Sequence, residues 1–238
     1  AREAAADPRA LAVLGSATSG KFAAMAPILN RADMLQVAII STAVRLTKRS
    51  DGTAFPPSDV APTGRRTIVR VVPDDSVQAR ALVEYMLGEG VSTVEVVHDG
   101  GTYGEGLAND VSMEARRRGL RVSGVTRADA RHPAAQARAI ASRHGQDARR
   151  WALLPAMNDD DIMKAMASAA ATADPSVVVF VPDAGAHHGA SHARPVLALN
   201  AAPGEVDLVV ASELLEAARA LHAGFVTPDR TLLIASTA

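Results

Sequence analysis

Leu11-Ala-Val-Leu-Gly15-Ser-Ala-Thr-Ser-Gly20-Lys21, then Phe22-Ala-Ala-Met-Ala-Pro-Ile-Leu-Asn30, then Leu35-Gln-Val-Ala-Ile-Ile40-Ser41-Thr42, is the stretch whose reading decides the fold. Four apolar residues at 11–14 form a strand. Small and polar residues at 15–20 make a turn, 21–30 a helix, and 35–40 a second apolar strand. Strand, turn, helix and strand make one βαβ unit. Open sheets of such units bind ligands at the carboxyl ends of their strands, beside helix N-termini. Gly15 to Gly20 and Ser41-Thr42 are the two turns at that end.

Outward from this unit the alternation continues. A short helix end at 2–6 precedes Asp7-Pro8, and the abrupt start fits a processed or truncated chain. Residues 48–64 are rich in Pro, Gly, Asp and Ser and read as a loop. Strands are expected over 67–72, 91–97 and 120–125, and helices over 77–88, 103–118 and 132–144. Asp74, Asp75 and Ser76 suit a helix start, accepting from free backbone N–H groups. Strands alternating with helices imply a parallel sheet flanked by helices. Farther on, strands are expected over 151–154, 176–181, 196–199, 206–210 and 231–234. Helices are expected from a cap at Asn158 through 171 and from a cap at Ser212 through 223, and a loop over 183–193.

The 238 residues are 48% hydrophobic, enough for one large α/β domain or two lobes. A formal net charge of -1 leaves no basic surface for nucleic acid, so no nucleic-acid partner is expected. Aromatics are 3% of residues, so stacking platforms are scarce. Cysteine is absent, which removes disulfides, zinc–thiolate sites, iron–sulfur ligation and Cys nucleophiles. No apolar run is long enough to span a membrane, and no signal-peptide pattern stands at Ala1; the chain is expected not to be membrane-embedded.

Several motifs carry chemistry on paper. Gly15 to Lys21 fits GxxxxGK after a strand and before a helix. A magnesium nucleotide site needs Ser or Thr next, and Phe22 stands there. What remains still suits an anion, through close approach and free N–H groups at the helix start. His187, His188 and His192 share one segment, and His188 and His192 have the spacing of two ligands on one helix face. Gly185 and Gly189 oppose a helix there, so a solvated loop is preferred to a metal site. Asp159-Asp160-Asp161 looks like a metal cluster, but helix capping accounts for it. Arg65-Arg66 and Arg116-Arg117-Arg118 read as solvated faces. Tyr103, after a strand and at a helix start, is either packing or a ligand contact. No Gly-x-Ser-x-Gly elbow or Ser–His–Asp set is found, so no catalytic residue, metal or cofactor is assigned.

Residues 7–144 resemble the type I periplasmic (solute-binding) proteins, within the branched-chain amino-acid-binding group of ABC transporters. The matching text is Ala6-Asp7-Pro8-Arg9 through Gly15, Thr18-Ser19-Gly20, Ala26-Pro27-Ile28-Leu29-Asn30, Leu46-Thr47, Arg70-Val71-Val72-Pro73-Asp74-Asp75, and Asp99 with Tyr103-Gly104-Glu105-Gly106-Leu107. The resemblance implies a bilobal Venus-flytrap fold whose cleft holds an amino acid. It implies that Ser19 and Gly20 take the carboxylate and that Thr42, beside Ser41, contacts both main-chain groups. It implies that Tyr103 covers the ligand from the same lobe. Ala38-Ile39-Ile40-Ser41 departs from the family's Ser-Pro-Ser or Ser-Pro-Ala; bulky Ile40 replaces a small contact residue and either fills the pocket or leaves it open. The family's first strand–helix–strand has no counterpart ahead of Ala1, and no lobe-two acid for the ligand ammonium is placed.

Residues 194–237 are similar to the gamma-type domain of indolepyruvate (2-oxoacid) ferredoxin oxidoreductases, around Ala211 to Ala217 and Val226 to Thr231. The expected organisation is therefore a solute-binding α/β lobe over 1–145 and a second, divergent α/β segment over 146–238. The expected function is non-catalytic binding of a small amino-acid-like ligand, as the substrate-binding component of an ABC transporter with its membrane subunits as partners. The expected location is periplasmic or extracellular. The alternatives are an oxidoreductase accessory domain and a composite scaffold that binds nothing.

Overall fold

The computed structural model describes residues 1–48, 58–144, 150–181, 193–195, 208–211 and 232–235. The chain divides into two compact units, Ala1–Ala198 and Leu199–Ala238. In the first, the order is α1 (Arg2–Ala6), β1 (Ala12–Leu14), α2 (Ser19–Arg31), β2 (Leu35–Ala38), a 3-10 turn (Val44–Leu46), β3 (Ile68–Arg70), α3 (Asp75–Gly88), β4 (Thr93–His98), α4 (Thr102–Arg117), β5 (Arg121–Arg127), α5 (Pro133–His144), β6 (Trp151–Ala156), α6 (Asp160–Ala173), β7 (Val178–Val181) and β8 (Ala193–Pro195).

Every strand pair is parallel, as the βαβ alternation requires. Among the described residues these strands do not join into one sheet. β1, β2 and β3 form a three-stranded sheet in that order, and β4 to β8 form a second with the order β5-β4-β6-β7-β8. The fold is α/β with parallel sheets flanked by helices. Residues 1–145 hold the whole three-stranded sheet and the first two strands of the other.

In the five-stranded sheet, Leu82, Val83, Leu107 and Val111 of α3 and α4 pack on one face against Val94, Val96, Leu154 and Phe180. Ile140, Met163 and Met166 of α5 and α6 pack on the other face against Val97, Trp151, Leu153 and Val179. β6 is buried along its whole length, which is why its sequence is an apolar run without alternation. The three-stranded sheet keeps a smaller core, with Phe22 and Ala26 of α2 against Ala38, Leu46, Val60 and Ile68.

Helix starts follow local chemistry. Thr18 caps α2 by accepting from Lys21 N, and Asp74 caps α3 by accepting from Ser76 N. α6 is capped by Asp159 rather than Asn158: its carboxylate accepts from Asp161 N and Ile162 N. A carboxylate satisfies two free donors at a helix N-terminus and suits its dipole.

In the second unit β9 (Leu208–Ala211) and β10 (Leu232–Ala235) pair in parallel, near the strands expected at 206–210 and 231–234. The strand at 196–199, the helix at 212–223 and the three histidines lie outside the described residues. So does the loop at 183–193 except Ala193, which belongs to β8.

Candidate functional site

The carboxyl ends of β1 and β2 carry the turns singled out in the sequence. Ser19 opens α2 and is buried, and its Oγ accepts from Ala43 N at 3.2 Å. Ser41 is buried, and its Oγ donates to Ser16 O at 3.0 Å. These two bonds tie the β1–α2 turn to the segment after β2. Gly20 stays exposed, and a Cβ there would meet Thr102 Oγ1 of α4 at 3.7 Å. The N-termini of α2 and α4, helices on different sheets, therefore adjoin.

Thr42 joins this turn to α3. Its carbonyl accepts from Asp75 N at 3.0 Å and from the Arg70 guanidinium at 2.8 Å. Arg70 also donates to Ala43 O at 2.9 Å and to Thr47 Oγ1. It stands 3.7 Å from Asp74, which also pairs with Lys48 Nζ at 2.6 Å. Burial alone would raise Asp74, but the Lys48 and Ser76 hydrogen bonds outweigh it and hold the carboxyl below its ordinary value. Asp74 is thus a paired anion that fixes the passage from β3 into α3.

Asp75 is different. It is 1% exposed, and neither carboxylate oxygen meets a hydrogen-bonding partner of good geometry. Burial pushes its carboxyl up to about 7; the Thr42 hydroxyl and Arg70 oppose that, and Asp110 and Asp74 reinforce it. Asp110 of α4 is raised to about 6, by burial and then by Asp74. Three residues along α3 from Asp75, on the same helix face, Gln78 is buried and its Nε2 is unpartnered. Gln78 Oε1 accepts from Tyr103 OH at 3.3 Å. Two separate links result: Ser19 to Ala43 and Thr42 to Asp75 at the first sheet, and Tyr103 to Gln78 on α3.

Tyr103 stands on a different sheet from Ser19 and Thr42. It opens α4, directly after β4 of the five-stranded sheet, and it is buried against α3. The first turn of α4 presses on the end of β6: a Cβ at Gly104 would come within 2.4 Å of Ala156 O and Asp99 Oδ1, so glycine is required. Ile40, which replaces a small contact residue of the family, is 56% exposed. Asp75, Gln78 and Arg70 went unnoticed in the sequence as site residues, because an Asp at a helix start has a sufficient local explanation in capping. The available signal was doubled: Asp74 alone serves as cap, which leaves Asp75 without that duty.

Among the described residues no group of three or more His, Asp or Glu side chains is placed to hold a metal ion. No described helix is long and apolar enough to cross a membrane.

Comparison with known proteins places the family and the fold. A family model described as the receptor family ligand binding region matches residues 3–188. Among solved structures, an ABC transporter substrate-binding protein from Desulfitobacterium hafniense, in complex with Leu, is similar with a TM-score of 0.60. The two chains are 18% identical, and the match covers 76% of this chain and 49% of that one, so this chain spans about half the length of its neighbour. At that identity the likeness concerns the fold. No curated protein matches the chain. The likeness of residues 194–237 to an oxidoreductase domain finds no support in these matches.

Proposed function

The chain belongs to the receptor family ligand binding region family, and on that premise we propose that it binds a small amino-acid-like ligand without converting it. The observation that carries this reading is the adjacency of the α2 and α4 N-termini at the carboxyl ends of the two sheets' strands, with Ser19 and Thr42 on one side and Tyr103 on the other. That is where parallel α/β sheets present free N–H groups to ligands.

In this reading the backbone at Ser19 and Gly20, with the Ser19 hydroxyl, receives the ligand carboxylate. A helix N-terminus stabilises negative charge there. Thr42 bridges carboxylate and amine, with Ser41 holding its turn in place. Tyr103 reaches the ligand from the opposite sheet, so it contributes as the lobes close about the segment between β3 and α3. Asp75, behind Thr42, is a positioning residue. The similar substrate-binding protein is a complex with Leu, which supports an aliphatic amino acid as the first candidate. We assign the same chain the role of substrate-binding component of an ABC transporter, periplasmic or extracellular, with the membrane subunits as partners.

Calorimetric titration with a panel of free amino acids is the test. Saturable heat is expected for at least one, with affinity weakened at least about tenfold by Thr42→Ala, the loss of one charge-assisted hydrogen bond. Absence of heat for every amino acid, from protein shown to be folded, rejects the reading.

A further inference from the structure

Along β5 and the first half of β4, beside the end of α5, lies a cavity of about 370 Å³. That is within the size range of small-molecule sites. It is built around Glu95, whose side chain is 3% exposed in spite of its charge. A register shift between β4 and β5 at Val94 and Glu95 leaves Ser123 out of step. The Ser123 hydroxyl lies 3.1 Å from Val94 O and 2.8 Å from Glu95 Oε2. A Cβ at Gly124 would stand 2.5 Å from Glu95 Oε1, so only glycine leaves room for the carboxylate.

The basic side chains around Glu95 do not close on it. Arg143 stands 3.4 Å from Oε1 and His144 Nε2 3.5 Å from Oε2. Charge-assisted bonds are ordinarily about 2.7–2.9 Å. Arg143 is 59% exposed on its side chain, and Arg121 lines the same cavity. Thr126 Oγ1, also in the lining, is buried without a hydrogen-bonding partner. Ser123 and His144 are 3.2 Å apart, which suggests a nucleophile and its base. Glu95, however, faces the same Nε2 as Ser123 and not the other ring nitrogen, so it does not orient the imidazole as a hydrolytic triad requires.

We propose that this cavity is a second ligand site, for a small zwitterion whose ammonium group meets Glu95 and whose carboxylate meets Arg143 and Arg121. A simple anion would face the buried Glu95 carboxylate, and a simple cation would face two arginines. A molecule with both charges satisfies both sets, and its ammonium supplies Glu95 with a cation at close range. The Thr126 hydroxyl is a further polar contact. This site does not depend on the cleft reading.

The cavity carries its own reporter. His144 stacks on Trp151 with ring centroids 4.5 Å apart, and Trp151 is the only tryptophan of the chain. The test is titration of Trp151 fluorescence with free amino acids, with propionate and propylamine as half-ligands. A saturable change with at least one amino acid, tighter than about 1 mM, is expected, and neither half-ligand should reproduce it. Glu95→Gln and Arg143→Ala should each weaken it at least about tenfold. Arg143→Ala, at a side chain more than half exposed, keeps the test decisive should Glu95→Gln fail to fold. Thr42→Ala should leave the signal unchanged while weakening cleft binding. The proposal is overturned by no saturable change with any amino acid, by equal binding of either half-ligand, by an unaltered signal in Arg143→Ala, or by a signal lost in Thr42→Ala.

Discussion

The two sheets of the first unit are made of the same strand–helix alternation, but water treats them differently. In the five-stranded sheet both faces are covered, by α3 and α4 on one side and α5 and α6 on the other. In the three-stranded sheet α2 covers one face, where Gln36, Ala38 and Ile68 are buried. On the other face Leu14, register partner of Val37 and through it of Val69, is 70% exposed, and Val69 is 43% exposed. The apolar letters in the two sheets are alike; the difference lies in what packs on them. Hydrophobic stabilisation comes from area removed from water, not from residue type.

The largest expected effect tests the covered sheet. Leu154→Ala, at a fully buried position between β4 and β7, should cost about 3 kcal/mol or more in denaturant unfolding, since the cavity adds to the lost transfer energy. A loss below about 1 kcal/mol would mean that this core is not packed as described.

A smaller effect probes the junction between the sheets. Asp75 holds its proton more tightly in the folded chain, at about 7 against an ordinary 3.8. Its contribution to stability is therefore whole below the unfolded value and is lost as pH rises through about 7. Asp75→Asn removes the ionised form. It should stabilise the protein at pH 8 by roughly 2 to 4 kcal/mol, the upper figure being the full shift at about 1.36 kcal/mol per pH unit, and leave it nearly unchanged at pH 4. Equal Tm shifts at both pH values would show that burial of the charge is not the cause.

The smallest effect belongs to the open face. Leu14→Ser should change unfolding by less than about 0.5 kcal/mol, the range of ordinary surface substitutions. A loss near that of Leu154→Ala would show that something covers this face in solution and would erase the contrast between the sheets.

Legibility in the sequence followed the range of the interactions. α2, α3, α4 and α5 were readable to within a few residues, because caps such as Thr18 and Asp74 and the runs between them involve near neighbours in the chain. The Ser19 and Thr42 turns were readable through the βαβ pattern and the family likeness. The break between the sheets was not, because nothing local at 71–74 distinguishes a segment that leads to a new sheet from one that leads to the next strand. The separate sheet behind Tyr103 was accordingly missed, and Asp75 was given only a capping duty.

Sequence alone determined that the chain is α/β with parallel pairing, that its strands end in small polar turns, and that Phe22 displaces the magnesium-binding hydroxyl of a nucleotide loop. Those properties follow from periodicity, propensity and side-chain type within a few residues. Tertiary structure alone decided that Asp75 and Gln78 lie buried with polar atoms unpartnered, that Tyr103 reaches Gln78 from the opposite sheet, and that Glu95 sits in a cavity beside Arg143 and His144. Burial and charge proximity join residues far apart in the chain, and only folding brings them together.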